Sequence, residues 1–165
     1  SVGIGSTQHF AAELLFSTAG IKLVHVPYKG TPNAVAATVA NETQLILETL
    51  GSVIGQIRGG ALQALAVTSS SRFPGLPNLP TVAEAGLPGY DVTTWYALVF
   101  PARTPAAVVE KTRAALAAAL AREDVQKQMQ NAAFLPSQST PAELAAHMKS
   151  EISRWGAVRD RAGIK

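Results

Sequence analysis

The sequence of 165 residues contains no cysteine. Without thiols the chain has no disulfide framework, no thiolate nucleophile and no thiolate zinc site. Histidine is scarce too, and the three histidines, His9, His25 and His147, show no spacing typical of metal ligands. We therefore expect neither a metal nor a cofactor. The missing cysteine does not indicate a cellular compartment, because many exported proteins also lack it.

Charged residues are few as well, at 15% of the chain against 47% hydrophobic residues, a balance that favours a folded core over disorder. The 14 basic residues are spread from Lys22 to Lys165 instead of forming a stripe, so we expect no nucleic-acid partner. No stretch approaches the run of about 20 apolar residues that crosses a bilayer. The first residues also lack the basic and apolar segments of a signal peptide, which is compatible with a mature exported protein or a piece of one.

What the sequence does contain, up to residue 68, is an alternation of apolar runs and short helical segments. The patterns predict helices at about 6–19, 31–40 and 52–58, and strands at 21–26, 44–48 and 62–67. Strands separated by helices pair in parallel through right-handed crossovers. The expected fold class is therefore α/β, with a doubly wound, mainly parallel sheet.

The remainder of the chain has a different composition. Residues 69–90 are rich in Ser, Pro and Gly and predict a long loop, and residues 91–101 predict a strand. Helices are then expected at about 105–121, 123–133 and 141–161. The last helix has an apolar stripe that must be buried against something, although only one strand is available nearby; the stripe consists of Leu144, Met148, Ile152, Trp155 and Val158.

Three helices are predicted to begin at the same dipeptide, at residues 31–32, 104–105 and 140–141. In each pair the threonine supplies a capping hydroxyl, and the proline fixes φ at the first helical residue. Thr140 and Glu143 have the spacing of a capping box. These signals set boundaries and carry no chemistry.

The segment "GIGSTQH" at residues 3–9 places two glycines before a helix start, where free N–H groups and the helix dipole attract anions. An ordinary serine cap is an equally good interpretation. The segment fails as a dinucleotide fingerprint, as a Walker loop and as a nucleophile elbow. An acyl hydrolase built on Ser6 and His9 stays open, although residues three apart on one helix rarely have the required geometry.

Two further loops follow predicted strands, at residues 27–31 and 48–52. In a doubly wound sheet such loops share one edge, and ligands bind in the crevice there. Gly30 allows close approach to the backbone, Tyr28 offers an apolar face with a polar tip, and Lys29 is able to steer anions. We therefore expect residues 3–9 and both loops to lie at the same edge.

Four stretches carry a family resemblance: "GIGSTQH", "VHVPYKGTPNAV", "GGALQALAVTSSSRFPGLPNLPTVAEAGLPGYDVTTWYALVFPARTP" and "STPAELAAHMKSEISRWGAVRDRAGIK". Together they cover essentially the whole chain and resemble the tripartite tricarboxylate transporter solute receptors, often called Bug-type receptors. The resemblance implies a type II periplasmic-binding-protein fold whose two lobes close on a small organic carboxylate. It also implies a periplasmic, non-enzymatic receptor that delivers its ligand to a membrane permease.

The resemblance divides the chain in a specific way. Residues 1–92 correspond to the ligand-binding lobe two, and residues 93–165 to a crossover strand and the C-terminal helices of an incomplete lobe one. The N-terminal half of lobe one has no counterpart, so we expect exposed apolar surface and a possible homo-oligomer.

The resemblance also implies a set of ligand-binding residues and a ligand class. The expected ligand is a di- or tricarboxylate, an amino acid or an aromatic carboxylate. The residues expected to bind it are Gly5, Ser6, Thr7 and His9, then Tyr28, Gly30 and Thr31, and, as a third group, Glu48 and Thr49. The alternatives are a truncated structural module that self-associates without tight solute binding and, third, the acyl hydrolase using Ser6.

Overall fold

The computed structural model describes residues 1–164, which contain six α-helices. Their bounds are α1 Thr7–Ala19, α2 Thr31–Val39, α3 Leu50–Arg58, α4 Ala106–Leu120, α5 Glu123–Asn131 and α6 Pro141–Ala162. Every helix lies within a few residues of its predicted position. None of these helices has the combination of length and apolarity that a membrane span requires.

The helix ends follow the sequence signals only in part. Ser6 caps α1 by accepting the N–H of His9, and Gly20 closes the helix with a left-handed φ of 68°. At α6 the predicted capping box between Thr140 and Glu143 is formed. The capping role predicted for the other two threonines is wrong, because Gly30 caps α2 with a φ of 90° and Pro105 precedes α4, neither with a side-chain cap bond.

The predicted strands do not form a continuous ladder within residues 1–164. One isolated parallel bridge joins Val67 and Thr81, and residues 21–26, 44–48, 62–66 and 91–101 carry no regular strand. The mainly parallel sheet therefore stays a prediction for residues 1–164, where only the Val67–Thr81 bridge has the parallel pairing of a ladder. The physical reason is exposure: Val24 is 90% exposed and Leu65 is 62% exposed, so the apolar side chains of these segments lack the covering layer on which a buried strand depends.

The first residues of the chain nevertheless lie alongside residues 26–30. The Ser1 amino group donates to the carbonyl of Val26 at 2.9 Å, and the N–H of Tyr28 donates back to the carbonyl of Ser1 at 2.9 Å. The N–H of Gly30 donates to the carbonyl of Val2 at 3.0 Å. The two segments run in the same direction, as the α/β interpretation requires at this edge.

The core lies between α1, α6 and the end of the long loop. Tyr90 is buried together with Ala11 and Val92, and its hydroxyl donates to the carbonyl of Ala11 at 2.9 Å. Trp155 of α6 packs on this cluster. Burial raises the pKa of Tyr90 from its ordinary value of 10.0 to about 12, because a charged phenolate loses its hydration there. The core therefore connects the first and last helices.

The apolar stripe of α6 is only half covered. Val158 is 3% exposed and Trp155 is partly buried, whereas Ile152 is 72% exposed and Met148 is 39% exposed. The C-terminal half of the helix thus finds the partner that the sequence left unassigned, namely α1, and the N-terminal half presents its apolar side chains to solvent.

Candidate ligand-binding site

The loop before α1 is held by its own serine. The hydroxyl of Ser6 donates to the carbonyl of Gly3 at 2.7 Å and accepts the N–H of His9 at 3.2 Å. The N–H groups of Thr7 and Gln8 belong to the first helical turn and have no acceptor inside the helix. They mark the positive end of the α1 dipole, which is the part of a helix that attracts an anion.

The second loop lies directly against the first. The two backbone bonds from Tyr28 and Gly30 to the first two residues bring the segments together, and a Cβ added at Gly3 would lie 3.7 Å from the carbonyl oxygen of Tyr28. Gly30 adopts a left-handed φ of 90°, a conformation that favours glycine, and α2 begins at the next residue, Thr31. A second helix start therefore lies beside the first.

Glu48 and Thr49 are connected to the α1 loop through the side chain of Gln8, which was not among the expected ligand residues. Gln8 donates through Nε2 to Glu48 Oε1 at 2.8 Å, and the N–H of Thr49 donates to the same oxygen at 2.8 Å. The other carboxylate oxygen, Glu48 Oε2, is buried without a hydrogen-bond partner in the described part of the chain. Thr49 caps α3, so a third helix start lies next to the α1 loop.

Gln8 was quoted within the "GIGSTQH" segment but was not among the expected ligand residues. Its role is to join two loops that are 40 residues apart in sequence. An amide at the second residue of a helix is a weak signal by itself. The sequence indicated their proximity only through topology, because both loops were expected at the same edge of the sheet.

His9 lies beneath the loop instead of facing outward. It is only 6% exposed, and its ring stacks on His25 with centroids 4.0 Å apart. Its Nδ1 accepts the N–H of Gly5 at 3.2 Å. Burial, followed by the neighbouring His9, lowers the pKa of His25 below its ordinary value. The imidazole of His9 therefore supports the loop from inside.

A hydrolytic arrangement of Ser6 and His9 is not formed. The Ser6 hydroxyl bonds to the backbone carbonyl of Gly3, and the His9 ring nitrogens face Gly5 and Glu13. A general base must reach the proton of its nucleophile, and here the hydroxyl and imidazole have other partners. Within residues 1–164 no group of three or more potential ligand side chains is placed to hold a metal ion.

The structure thus brings all three groups of expected residues together. Gly5 and Thr7 are exposed, and the remaining members other than His9 are half-buried, namely Ser6, Tyr28, Gly30, Thr31, Glu48 and Thr49. Two open cavities lie elsewhere, one of about 580 Å³ beside Lys149 and Arg154 on α6, and one of about 310 Å³ beside Ile57 and Leu76. Neither has the convergent helix starts that distinguish the loop cluster, so the loop cluster is the better candidate for an anion.

Comparison with known proteins gives a consistent result. The sequence profile of a family described as "Tripartite tricarboxylate transporter family receptor" matches residues 1–164. A curated protein of a Pseudomonas strain, described as "UPF0065 protein in tcbD-tcbE intergenic region", is 38% identical over 156 residues, which are 94% of this chain and 46% of that protein.

Solved structures share the fold. A protein of R. palustris, solved with adipate, matches with a TM-score of 0.87 and 32% identity over 97% of this chain and 54% of that one. The periplasmic binding protein BugD matches with a TM-score of 0.79 and 32% identity over 98% of this chain and 55% of that one. These likenesses confirm the expected Bug-type relationship and the periplasmic-binding-protein-like fold. The chain spans about half the length of these three relatives.

Proposed function

Because the chain belongs to the tripartite tricarboxylate transporter receptor family, we propose that it captures a small organic carboxylate outside the cytoplasm for a membrane permease. The ligand is a di- or tricarboxylate, an amino acid or an aromatic carboxylate. The protein acts by binding and release and catalyses no reaction. We propose the periplasm as its location, because the related protein BugD is described as a periplasmic binding protein.

One observation carries the proposal, namely the joining of three helix starts. The loops before α1, α2 and α3 are connected by the backbone bonds of Tyr28 and Gly30 and by the Gln8–Glu48 hydrogen bond. Each start offers N–H groups without an intrahelical acceptor, and the dipoles add positive potential at the same place. Such an arrangement suits a carboxylate, and a relative of the same fold was solved with adipate.

Within this cluster we assign different roles to the expected residues. The N–H groups of Thr7 and Thr31 supply hydrogen-bond donors, while Gly5, Ser6 and Gly30 shape the two loops, because their own N–H groups donate to partners within the chain. In addition, Tyr28 provides a wall, Glu48 and Thr49 form the rim beside α3, and His9 acts in support. When backbone donors and water bind most of a carboxylate, side chains determine the specificity of the site only in part.

The direct test is calorimetric titration with adipate, succinate and citrate, with the neutral diamide of adipic acid as a matched control. We expect at least one of the three acids to bind and the diamide to show no heat of binding, because the site recognises negative charge. Binding of the diamide as tight as that of the acid would contradict an anion site. Absence of binding for the acids and for further amino-acid and aromatic carboxylates would contradict the proposed function.

The site is located by two substitutions. Ser6→Phe crowds the α1 start, and Gly30→Val strains a backbone at φ 90°; each is expected to weaken binding by about tenfold or more, equal to the loss of one hydrogen bond to a charged group. Ser137→Phe, on an exposed loop far along the chain, is the control and should bind as the wild type does. Unchanged affinity in both site variants, with folding intact by circular dichroism, would place the ligand elsewhere.

A second candidate function is self-association without tight solute binding. The exposed apolar residues after residue 92 favour it. Tyr96 is 74% exposed, Val99 68% and Ile152 72%, and surface of this kind promotes association. Sedimentation velocity over a range of concentrations should then show dimers or larger species that Val99→Lys reduces. Val39→Lys, at a position 46% exposed on α2, serves as the control. A monomer at all concentrations would remove this candidate.

A further inference from the structure

His9 and His25 form a stacked pair of rings. Protonation of these rings has no part in the proposed anion site. We propose that His9 is a positioning residue that holds the backbone of Gly5 only while its ring is neutral, so that acid releases Gly5 and weakens anion binding. The effect on binding rests on the proposed function, whereas the effect on the loop is a property of the chain without ligand.

His9 holds Gly5 through one hydrogen bond, in addition to the bonds by which Ser6 anchors Gly3. The N–H of Gly5 donates to Nδ1 of His9 at 3.2 Å, so this nitrogen must carry a lone pair. The ring proton of the neutral form is then on Nε2, which faces Glu13. Protonation at Nδ1 replaces the acceptor by a second donor, and two donors cannot share a hydrogen bond. The Gly5 bond is therefore lost as a direct consequence of protonation.

The position of Gly5 makes this bond important for the loop. Gly5 has a left-handed φ of 76°, and nothing lies within 4 Å of a Cβ added there. The residue is exposed, so packing does not fix its conformation. The next residue, Ser6, caps α1, and its hydroxyl also anchors Gly3. Release of Gly5 thus leaves the segment before α1 held by the bonds of Ser6 alone.

Charged and titratable groups surround the pair on three sides. On α1, Glu13 Oε1 lies 3.7 Å from His9 Nε2. On the neighbouring segment, the ring of His25 stacks at an interplanar angle of 12°. From the first residue, Ser1 Oγ lies 2.6 Å from His25 Nε2, and the Ser1 amino group adds positive charge. Because two stacked positive rings repel, the pair accepts one proton more readily than two.

Burial and then the adjacent His9 hold the pKa of His25 below its ordinary value of 6.5, while Glu13 opposes them. At His25 the folded chain therefore binds fewer protons than the unfolded chain as the pH falls below about 6.5, and the contribution of this group to the free energy of unfolding decreases in that range. This direction agrees with a stacked pair that acid disrupts.

Two effects of a protonated His9 act on a bound anion in opposite directions. The positive charge attracts the anion, but the ring is buried beneath the loop and Glu13 partly neutralises it. The loss of the Gly5 bond disorders the donors themselves. We expect the geometric effect to prevail, because backbone donors bind an anion only when several of them point to the same place.

The test begins with the ligand-free chain, so that it is independent of any ligand. Nuclear magnetic resonance follows the His9 ring and the amide of Gly5 from about pH 7.5 to about pH 5.5. The protection factor of the Gly5 amide should fall about five- to tenfold, as expected for the loss of an ordinary hydrogen bond. Its midpoint should coincide with the titration of the His9 ring. A Gly5 amide that does not follow this ring would overturn the proposal.

Three variants distinguish a His9 that acts through its protonation from a His9 that has only a structural role. His9→Asn keeps an acceptor near the place of Nδ1 and does not titrate, so the Gly5 protection should become independent of pH. His25→Phe keeps a stacked aromatic ring that takes no proton, so the pH response of Gly5 should persist. His147→Gln, at an exposed position on α6, should behave as the wild type. A pH response of Gly5 that persists in His9→Asn would contradict the proposal, and if that variant does not fold, loss of the response in His25→Phe would contradict it.

Calorimetry with adipate then distinguishes the two proposals. The affinity should fall about fivefold over the same pH range in the wild type, again the size of one lost hydrogen bond, and should stay constant in His9→Asn. A Gly5 response without binding of any acid would count against the proposed function and leave the support role of His9 intact. An affinity that rises on acidification would contradict the inference about binding.

Discussion

Residues 1–92 and residues 93–157 differ sharply in how they bury their side chains. Ten of the eleven buried residues of the described chain lie between His9 and Val92, and the other is Val158 near the end of α6. Helices α4 and α5 contain no buried residue. The first part is thus a packed unit with the proposed site on its loops, and the second part is a set of helices attached to it mainly through the end of α6.

The comparison also shows where the bonds between the three loops come from. All the bonds that join the three loops come from residues 1–49, within the packed part. The second part contributes aromatic contacts of its own, such as Trp95 with His147 and Tyr96 with Phe134. These contacts leave much of its apolar surface exposed.

Two tyrosines give the largest expected contrast between the parts. Tyr90→Ala removes a buried ring and a hydrogen bond, and should lower the free energy of unfolding by about 3–5 kcal/mol. Tyr96→Ala removes an aromatic ring that is 74% exposed, and should change it by no more than about 0.5 kcal/mol. Urea unfolding followed by circular dichroism measures both. Equal effects would show that the second part is packed as well as the first.

The ionisation of Tyr90 should make the packed part sensitive to alkali. Its pKa is raised from 10.0 to about 12, so the folded state holds this proton more tightly than the unfolded state. The stabilisation is present below about pH 10 and is lost as the pH rises towards 12; two pKa units correspond to about 2–3 kcal/mol. Urea unfolding across this range measures it, with Tyr90→Phe as the control. The same slope in both proteins would refute the assignment to Tyr90.

The two ends of the α6 stripe allow the comparison within one helix. Val158→Ala deletes two buried methyl groups and should cost about 2 kcal/mol of unfolding free energy. Ile152→Ala, at a position 72% exposed, should change stability by less than about 0.5 kcal/mol. Thermal unfolding of both variants provides the measurement. A larger loss at Ile152 than at Val158 would mean that another surface covers the N-terminal half of the stripe.

Besides the end of α6, the contact between α3 and Ala132 also joins the two parts, and two glycines of α3 test it. A Cβ at Gly51 would lie 2.6 Å from the carbonyl oxygen of Ala132, whereas nothing lies within 4 Å of one at Gly55. Gly51→Ala should therefore destabilise the chain by about 1–3 kcal/mol through overpacking. Gly55→Ala should stabilise it by about 0.5–1 kcal/mol through reduced entropy of the unfolded chain. Chemical unfolding of the pair measures both signs, and stabilisation by Gly51→Ala would show that the contact is loose.

Sequence patterns predicted the helices well, because caps and apolar spacing are local properties. Thr140, Glu143 and Gly20 determine helix ends through bonds within a few residues. The strands were not predictable in the same way, because a ladder depends on neighbours far along the chain or outside it. Val24 and Leu65 have apolar, strand-like sequence contexts but lie exposed without such neighbours.

The candidate site was predictable to the level of its loops. The rule that loops after parallel strands share an edge placed residues 3–9, 28–31 and 48–49 together before any contact was known. It did not identify the hydrogen bond between Gln8 and Glu48, because a side-chain partner 40 residues away leaves no periodic signal. Nor did it indicate that His9 faces inward, since burial at a helix start depends on the segment that packs over it. Whether these residues bind a ligand stays a prediction.

The central claim is that three helix starts form one anion site, and amide mapping by nuclear magnetic resonance tests it most directly. On titration with adipate, the amides of Thr7, Gln8, Thr31 and Thr49 should shift together and saturate at one common ligand concentration, while the amides beside Lys149 and Arg154 on α6 should not shift. Shifts confined to the α6 cavity, or shifts at only one of the three helix starts, would contradict the account.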